Sequence, residues 1–203
     1  MKKPILIVIA GPNGSGKTSI TTKILKHKWV EECTYINPDN IAKEKFGDWN
    51  NPKAVVDAAN FAKEIRENCI LNLESLIFET VLSASDKIDF IINAKKKGYF
   101  IRIFFVGTDN PSINASRIAQ RVMEGGHDVP ITKIISRYSK SIANCAVCAN
   151  IVDRLYVYDN STDFEEPILL FKISDGKTSK IYTTINNWAK LIAEKFIESS
   201  RNY

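Results

Sequence analysis

Residues 11–18 read Gly-Pro-Asn-Gly-Ser-Gly-Lys-Thr and follow directly on an apolar run at residues 4–10. No other stretch restricts the possible folds as much. A continuous apolar run suits a strand buried on both faces of a parallel sheet. The pattern G-x-x-x-x-G-K-[ST], placed between such a strand and a helix, is a loop built to hold phosphate. Its backbone N–H groups point inward at phosphate oxygens, and the following helix adds the positive end of its dipole. A chance match to the four fixed positions is on the order of one per cent at average composition. Gly11, Pro12, Asn13, Gly14, Ser15, Gly16, Lys17, Thr18 and Ser19 therefore form the candidate cradle for ATP. In such a loop the lysine, here Lys17, bridges the β and γ phosphates, and the hydroxyl of Thr18 ligates Mg²⁺.

The rest of the chain alternates strand and helix patterns, which predicts an α/β fold of the P-loop NTPase kind. Strands are expected at residues 4–10, 33–37, 75–81, 99–107 and 151–161, forming a five-stranded, mainly parallel sheet with helices on both faces. Helices are expected at 16–28, 38–47, 53–73, 85–98, 111–124 and 131–150. A C-terminal β-hairpin turning at Asp175-Gly176 and a closing amphipathic helix occupy residues 167–199. With no linker, repeat or low-complexity segment, the 203 residues read as one domain, with a helical lid over about 111–150.

Composition narrows the function classes. The chain has 28 Lys and Arg against 23 Asp and Glu, a net charge of +5, and its basic residues are dispersed. A nucleic-acid binder would carry a clustered, aromatic-laced basic patch, so this class is set aside. No run approaches the roughly 20 apolar residues of a membrane helix. The N-terminal apolar run is short, lacks a cleavage site and reads as a buried strand, not as a signal peptide. Cys145 and Cys148 form a lone C-x-x-C within a helical pattern, and Cys33 and Cys69 do not complete a zinc site. Buried thiols in a reduced, cytoplasmic setting are the expectation.

Several nucleotide-binding classes drop out. There is no N-K-x-D base-reading loop and no L-S-G-G-Q signature, and the fourth strand does not end in paired acids. The remaining features suit a small-molecule kinase. Arg117 and Arg121 lie four apart, side by side on one helix face. Arg137 follows the break "EGGHDVP". Three guanidiniums on a lid near the phosphate loop would neutralise the charge that spreads over a transferring phosphoryl group. Gly125 and Gly126 would permit closure, and His127 beside them is a candidate phosphate or acceptor contact. Asp39 follows the second strand, at the binding edge of such a sheet, where a carboxylate can take the proton of an acceptor hydroxyl. A helix cap is its structural alternative. Glu79, at the end of the third strand among apolar residues, needs a polar partner.

The sequence elements "GPNGSGKT", "NPDNIA", "FETVLS", "RIAQRVMEGGHDVP", "ISRYSKSI" and "YVYDNS" resemble the zeta-toxin-like P-loop kinases over residues 4–161. The resemblance implies ATP-dependent phosphorylation of a small-molecule hydroxyl. For the best-known zeta toxins that hydroxyl is on UDP-N-acetylglucosamine, and a protein antitoxin is a possible partner. It further implies Asp39 as the base, with Asn40 beside it, Glu79 and Thr80 as acceptor contacts, and Lys17, Arg121 and Arg137 as phosphate ligands. Arg117 would flank the adenine, and Asn160 and Ser161 would form the adenine-edge loop. Glu64 is the candidate for a second acidic acceptor contact. Two other readings remain open: a housekeeping kinase with a different acceptor, and an ATP-gated binding module.

Overall fold

The computed structural model describes residues 3–47, 51–126 and 128–197. The chain begins with β1 (Ile5–Ala10), α1 (Lys17–Leu25), a 3₁₀ turn (Lys28–Val30), β2 (Thr34–Ile36), α2 (Pro38–Phe46) and α3 (Pro52–Asn72). It continues with β3 (Leu76–Thr80), α4 (Ser85–Lys96), β4 (Phe100–Gly107), α5 (Pro111–Met123) and α6 (Ile131–Cys148). The last elements are β5 (Arg154–Asp159), β6 (Ile168–Ser174), β7 (Lys177–Ile181) and α7 (Asn187–Ile197).

The strands form one sheet in the order β2-β3-β1-β4-β5-β6-β7. Its first five strands are parallel, as expected for continuous apolar runs covered on both faces. The expected C-terminal hairpin is present, but it does not stand apart. β6 pairs antiparallel with β5, and β7 with β6, so the sheet has seven strands and is mixed. Hairpin and sheet join because the inward residues Leu170, Phe171 and Ile173 continue the core beyond β5.

Alternation along the strands sorts the core into two layers. Leu6, Val8, Phe78, Ile101, Ile103 and Phe105 face α3, α4, α6 and α7, whereas Ile7, Ile9, Ile77, Phe104 and Val106 face α1. Fully burying one such side chain is worth about 1.5–3 kcal/mol, so register along these strands is strongly fixed. β1 lies between β3 and β4, so the chain reverses its winding there and opens a crevice at the strands' carboxyl ends.

Three helices start with the same local device, an asparagine cap followed by proline in the first turn: Asn37-Pro38, Asn51-Pro52 and Asn110-Pro111. Proline loses nothing there because the first helical N–H groups lack intrahelical partners. α1 stops at Leu25, short of the expected residue 28, and the chain turns through the 3₁₀ segment instead. Residues 198–199 of the expected closing helix lie outside the described residues, as does His127. No described helix is long and apolar enough to cross a membrane.

Candidate active site

The phosphate loop leaves β1 at the crevice, where the Gly11 N–H donates to the Thr80 carbonyl of the neighbouring strand at 3.3 Å. Gly14 and Gly16 are among the points where its shape demands glycine. Gly14 has φ 74°, and a Cβ there would lie 2.5 Å from the Asn114 carbonyl oxygen of α5. Gly16 has φ 85°, and a Cβ there would lie 2.1 Å from Nδ2 of Asn160. Asn114 Nδ2 donates to the Asn13 carbonyl at 2.7 Å, and Asn160 Nδ2 donates to the Ser15 carbonyl at 2.9 Å. The loop is thus held from both sides before any ligand arrives.

Three features of the loop suit an anion. The Ser15 hydroxyl is buried with no partner among the described residues. The N–H groups around Gly14 and Gly16 occupy a concavity that side chains would fill. The Lys17 ammonium donates to the loop's own carbonyls, Gly11 O at 3.0 Å and Pro12 O at 3.2 Å. Burial lowers the pKa of Lys17 below its usual 10.5 and Arg121 adds to this, while Glu79 and then Asp39 pull it back up. An incoming phosphate would add further counter-charge to this ammonium and offset the cost of its burial. Pro12 is buried, whereas Thr18 and Ser19 are exposed in the first turn of α1. The open Thr18 hydroxyl, with Glu79 and Asp39 near Lys17, is a donor set that fits a hard, oxygen-seeking Mg²⁺ ion.

Across the loop stand the two carboxylates. Asp39 is exposed in the first turn of α2, beside the exposed Asn40. It is not the cap of that helix: Asn37 is, with Oδ1 accepting from the N–H groups of Asp39 at 2.9 Å and Asn40 at 3.5 Å. The Asp39 side chain is thereby left clear of the capping role. Glu79 is half-buried at the end of β3, on the α1 face. Its Oε1 accepts from the Tyr35 hydroxyl at 2.6 Å, the Thr21 hydroxyl at 2.9 Å and Asn37 Nδ2 at 3.2 Å. Thr80, next along β3, turns its hydroxyl oxygen back to the Leu82 N–H at 3.0 Å. Glu64 is exposed on α3.

The arginines divide. Arg117 reaches the loop after β5, donating from Nε to Asp163 Oδ1 at 2.8 Å, from Nη1 to the Asn160 carbonyl at 2.8 Å and from Nη2 to the Thr162 carbonyl at 3.2 Å. A planar guanidinium with five donors suits this fastening of three groups at once. Ser161 in that loop is bound to Asp159, whose Oδ1 also accepts from Trp188 Nε1 at 2.8 Å. Arg121, one turn beyond Arg117, is exposed and close enough to Lys17 to depress its pKa. Arg137 on α6 donates to Asn13 Oδ1 of the phosphate loop at 3.3 Å. α6 is then fastened by Tyr138 to the Thr108 carbonyl, by Ser141 to the Val81 carbonyl and by Asn144 to the Leu82 carbonyl.

Tyr35, Asn37, Thr21, Asn114 and Asp159 escaped the sequence reading. Asn37 was within reach, since asparagine before proline at a helix start is a capping signature. The others depend on partners 29 to 101 positions away along the chain, which no local pattern displays.

A family model described as Zeta toxin matches residues 1–166. A Haemophilus influenzae protein of uncharacterized function is 29% identical over 132 residues, covering 65% of this chain and 91% of that one. A chain of the AvrRxo1-ORF1:AvrRxo1-ORF2 complex with ATP superposes with a TM-score of 0.67 at 19% identity, covering 95% of this chain. This chain spans 63% of that relative's length. The PezAT chromosomal toxin-antitoxin system of Streptococcus pneumoniae gives a TM-score of 0.62 at 19% identity, covering 97% of this chain and 80% of that one. At such identities the likeness is one of fold.

Proposed function

The chain belongs to the zeta toxin family, and on that premise we propose that it transfers the γ-phosphate of ATP to a hydroxyl of a small-molecule acceptor of the sugar-nucleotide kind. One observation carries this reading: Lys17 of the phosphate loop lies within electrostatic reach of two carboxylates from the opposite wall, Glu79 and Asp39. A mere nucleotide switch has no use for carboxylates there, whereas a transferase needs them to hold and deprotonate an acceptor.

In this reading the loop N–H groups and Lys17 hold the ATP phosphates. Thr18 would hold Mg²⁺, which would supply charge neutralisation for the phosphates. Glu79 and Thr80 orient the acceptor, and Asp39 accepts the hydroxyl proton as the oxygen bonds to the γ-phosphorus. The bond from that phosphorus to the β,γ-bridging oxygen breaks, and ADP departs. Arg121 and Arg137 approach the transferring group as the helical lid closes, and Arg117 fixes the loop of Asn160 and Ser161 against which adenine rests. The complexes among the structural relatives support a protein antitoxin as a partner.

The test is transfer of label from γ-³²P-ATP into a panel of sugar nucleotides and into a small-molecule cell extract. Wild type should label a small molecule, and Lys17→Ala should not. Asp39→Asn should keep ATP affinity within about threefold and lose on the order of 10²–10⁴ in transfer. Full transfer by Asp39→Asn would remove Asp39 from the chemistry, and label appearing only on protein or RNA would overturn the reading.

A further inference from the structure

Asp39 and Glu79 come from different elements, yet a transfer site needs them at a fixed separation. A single side chain touches the support of both. Asn37 Oδ1 accepts from the N–H groups that begin α2, at 2.9 Å from Asp39 N, and so aims the turn that carries Asp39. Its Nδ2 donates to Glu79 Oε1 at 3.2 Å and to the Tyr35 hydroxyl at 3.1 Å. The chemistry at each end fixes the orientation of this amide. Reversed, it would set NH₂ against two backbone N–H groups and oxygen against a carboxylate.

The rest of the network holds Glu79. Tyr35 from β2 and Thr21 from α1 donate to the same oxygen, so the carboxylate cannot turn without losing three hydrogen bonds. Burial, and then the bond to Glu79, raise the Tyr35 pKa well above its ordinary 10, so its hydroxyl remains a donor. Thr21 has one proton, and its contact with Glu79 at 2.9 Å is shorter than its alternative, the Lys17 carbonyl at 3.2 Å. A plain cap would not need an amide: aspartate and serine cap as well as asparagine. Only the donor end of Asn37 serves Glu79.

We propose that Asn37 is a positioning residue for the transfer reaction, setting the placement of Asp39 relative to Glu79. The assignment rests on the kinase reading above. Asn37→Asp and Asn37→Ser both keep a capping oxygen, so neither should unfold the helix start. Asn37→Asp puts a second carboxylate against Glu79, so its turnover in the label-transfer assay should fall at least about tenfold, with the KM for ATP within about twofold. Asn37→Ser should fall less. In a Glu79→Gln background, Asn37→Asp should cause little further loss, because the charge it opposes is gone. Wild-type turnover in Asn37→Asp, or losses that simply multiply in the double variant, would overturn the assignment.

A second measurement does not depend on the acceptor. In ¹⁵N-labelled protein the side-chain NH₂ signal of Asn37, identified by its loss in Asn37→Ser, should move in Glu79→Gln and in Tyr35→Phe. A signal unmoved in both would also overturn the assignment. If the signal moves but wild type labels no small molecule, the contact stands, while the kinase reading and the positioning role resting on it fall together.

Discussion

Gly16→Ala probes how the phosphate loop is held. The new Cβ would have to accept φ 85° and would meet Asn160 Nδ2 at 2.1 Å. A left-handed conformation costs a non-glycine residue about 1–2 kcal/mol. The Asn160 amide is the far end of a side chain and can withdraw, but it then gives up its 2.9 Å bond to the Ser15 carbonyl, worth about 1 kcal/mol. The variant should lose about 2–3 kcal/mol of stability, or roughly 4–12 °C in Tm for a chain of this length. Asn160→Ala alone should lose about 1 kcal/mol, the same bond. In the double variant that bond is lost only once, so the total should fall short of the summed single losses by about 1 kcal/mol. Urea denaturation of the four proteins measures this directly. Additive losses would show that Gly16 and Asn160 do not compete for the same space, and a neutral Gly16→Ala would refute the close approach itself.

Three further outcomes are expected. Gly107→Ala would drive a Cβ to 2.3 Å from the Trp188 ring, and calorimetry should show a loss of at least about 1–3 kcal/mol, relieved in part by Trp188→Phe. Asp153 is partly desolvated, which raises its pKa, but the Ile101 N–H and Lys95 outweigh this and hold it below 3.8. Its contribution is therefore present above the unfolded value and is lost as pH falls through the lower folded one. At neutral pH, Asp153→Asn should cost about 1–2 kcal/mol, discounted because Lys95 is 38% exposed, and the difference from wild type should close below pH 3.8 in acid unfolding curves. Cys145 and Cys148 are buried free thiols whose pKa values burial pushes upward, that of Cys148 to about 12. Neither should react with a thiol-specific reagent at pH 8 until the protein unfolds, and rapid labelling of native protein at either position would contradict their placement.

What was legible in the sequence followed the range of the interactions involved. β1, the phosphate loop and the start of α1 are specified by neighbours in the chain, through apolar continuity and glycine chemistry, and they fell where expected. The joining of β6 to β5 was not visible, because the hairpin pattern is the same whether or not an edge strand lies beside it. Spacing made Arg117 and Arg121 equivalent, and only the family resemblance gave them different roles; in the structure Arg117 fastens the loop after β5 while Arg121 is exposed near Lys17. Asp39 looked like a possible cap until Asn37 took that role, and Glu79 needed a partner that its own strand does not supply.

The fastenings of α5 and α6 also set the mechanics of the helical pair. α6 is bolted down from Tyr138 onward, and α5 is held at Asn114 and Arg117, so both helices share a fulcrum beside the phosphate loop. Arg137 lies one residue from its anchor, whereas Arg121 lies a full turn beyond its own, about 6 Å along the helix. A 20° swing about such a fulcrum would carry the backbone at Arg121 through about 2 Å and that at Arg137 through only about 0.5 Å. In such a swing the backbone at Arg121 would travel and that at Arg137 would stay nearly in place. A single rotation of the pair would thus bring the two charges up unequally, since Arg137 already lies beside the loop, bonded to Asn13 Oδ1.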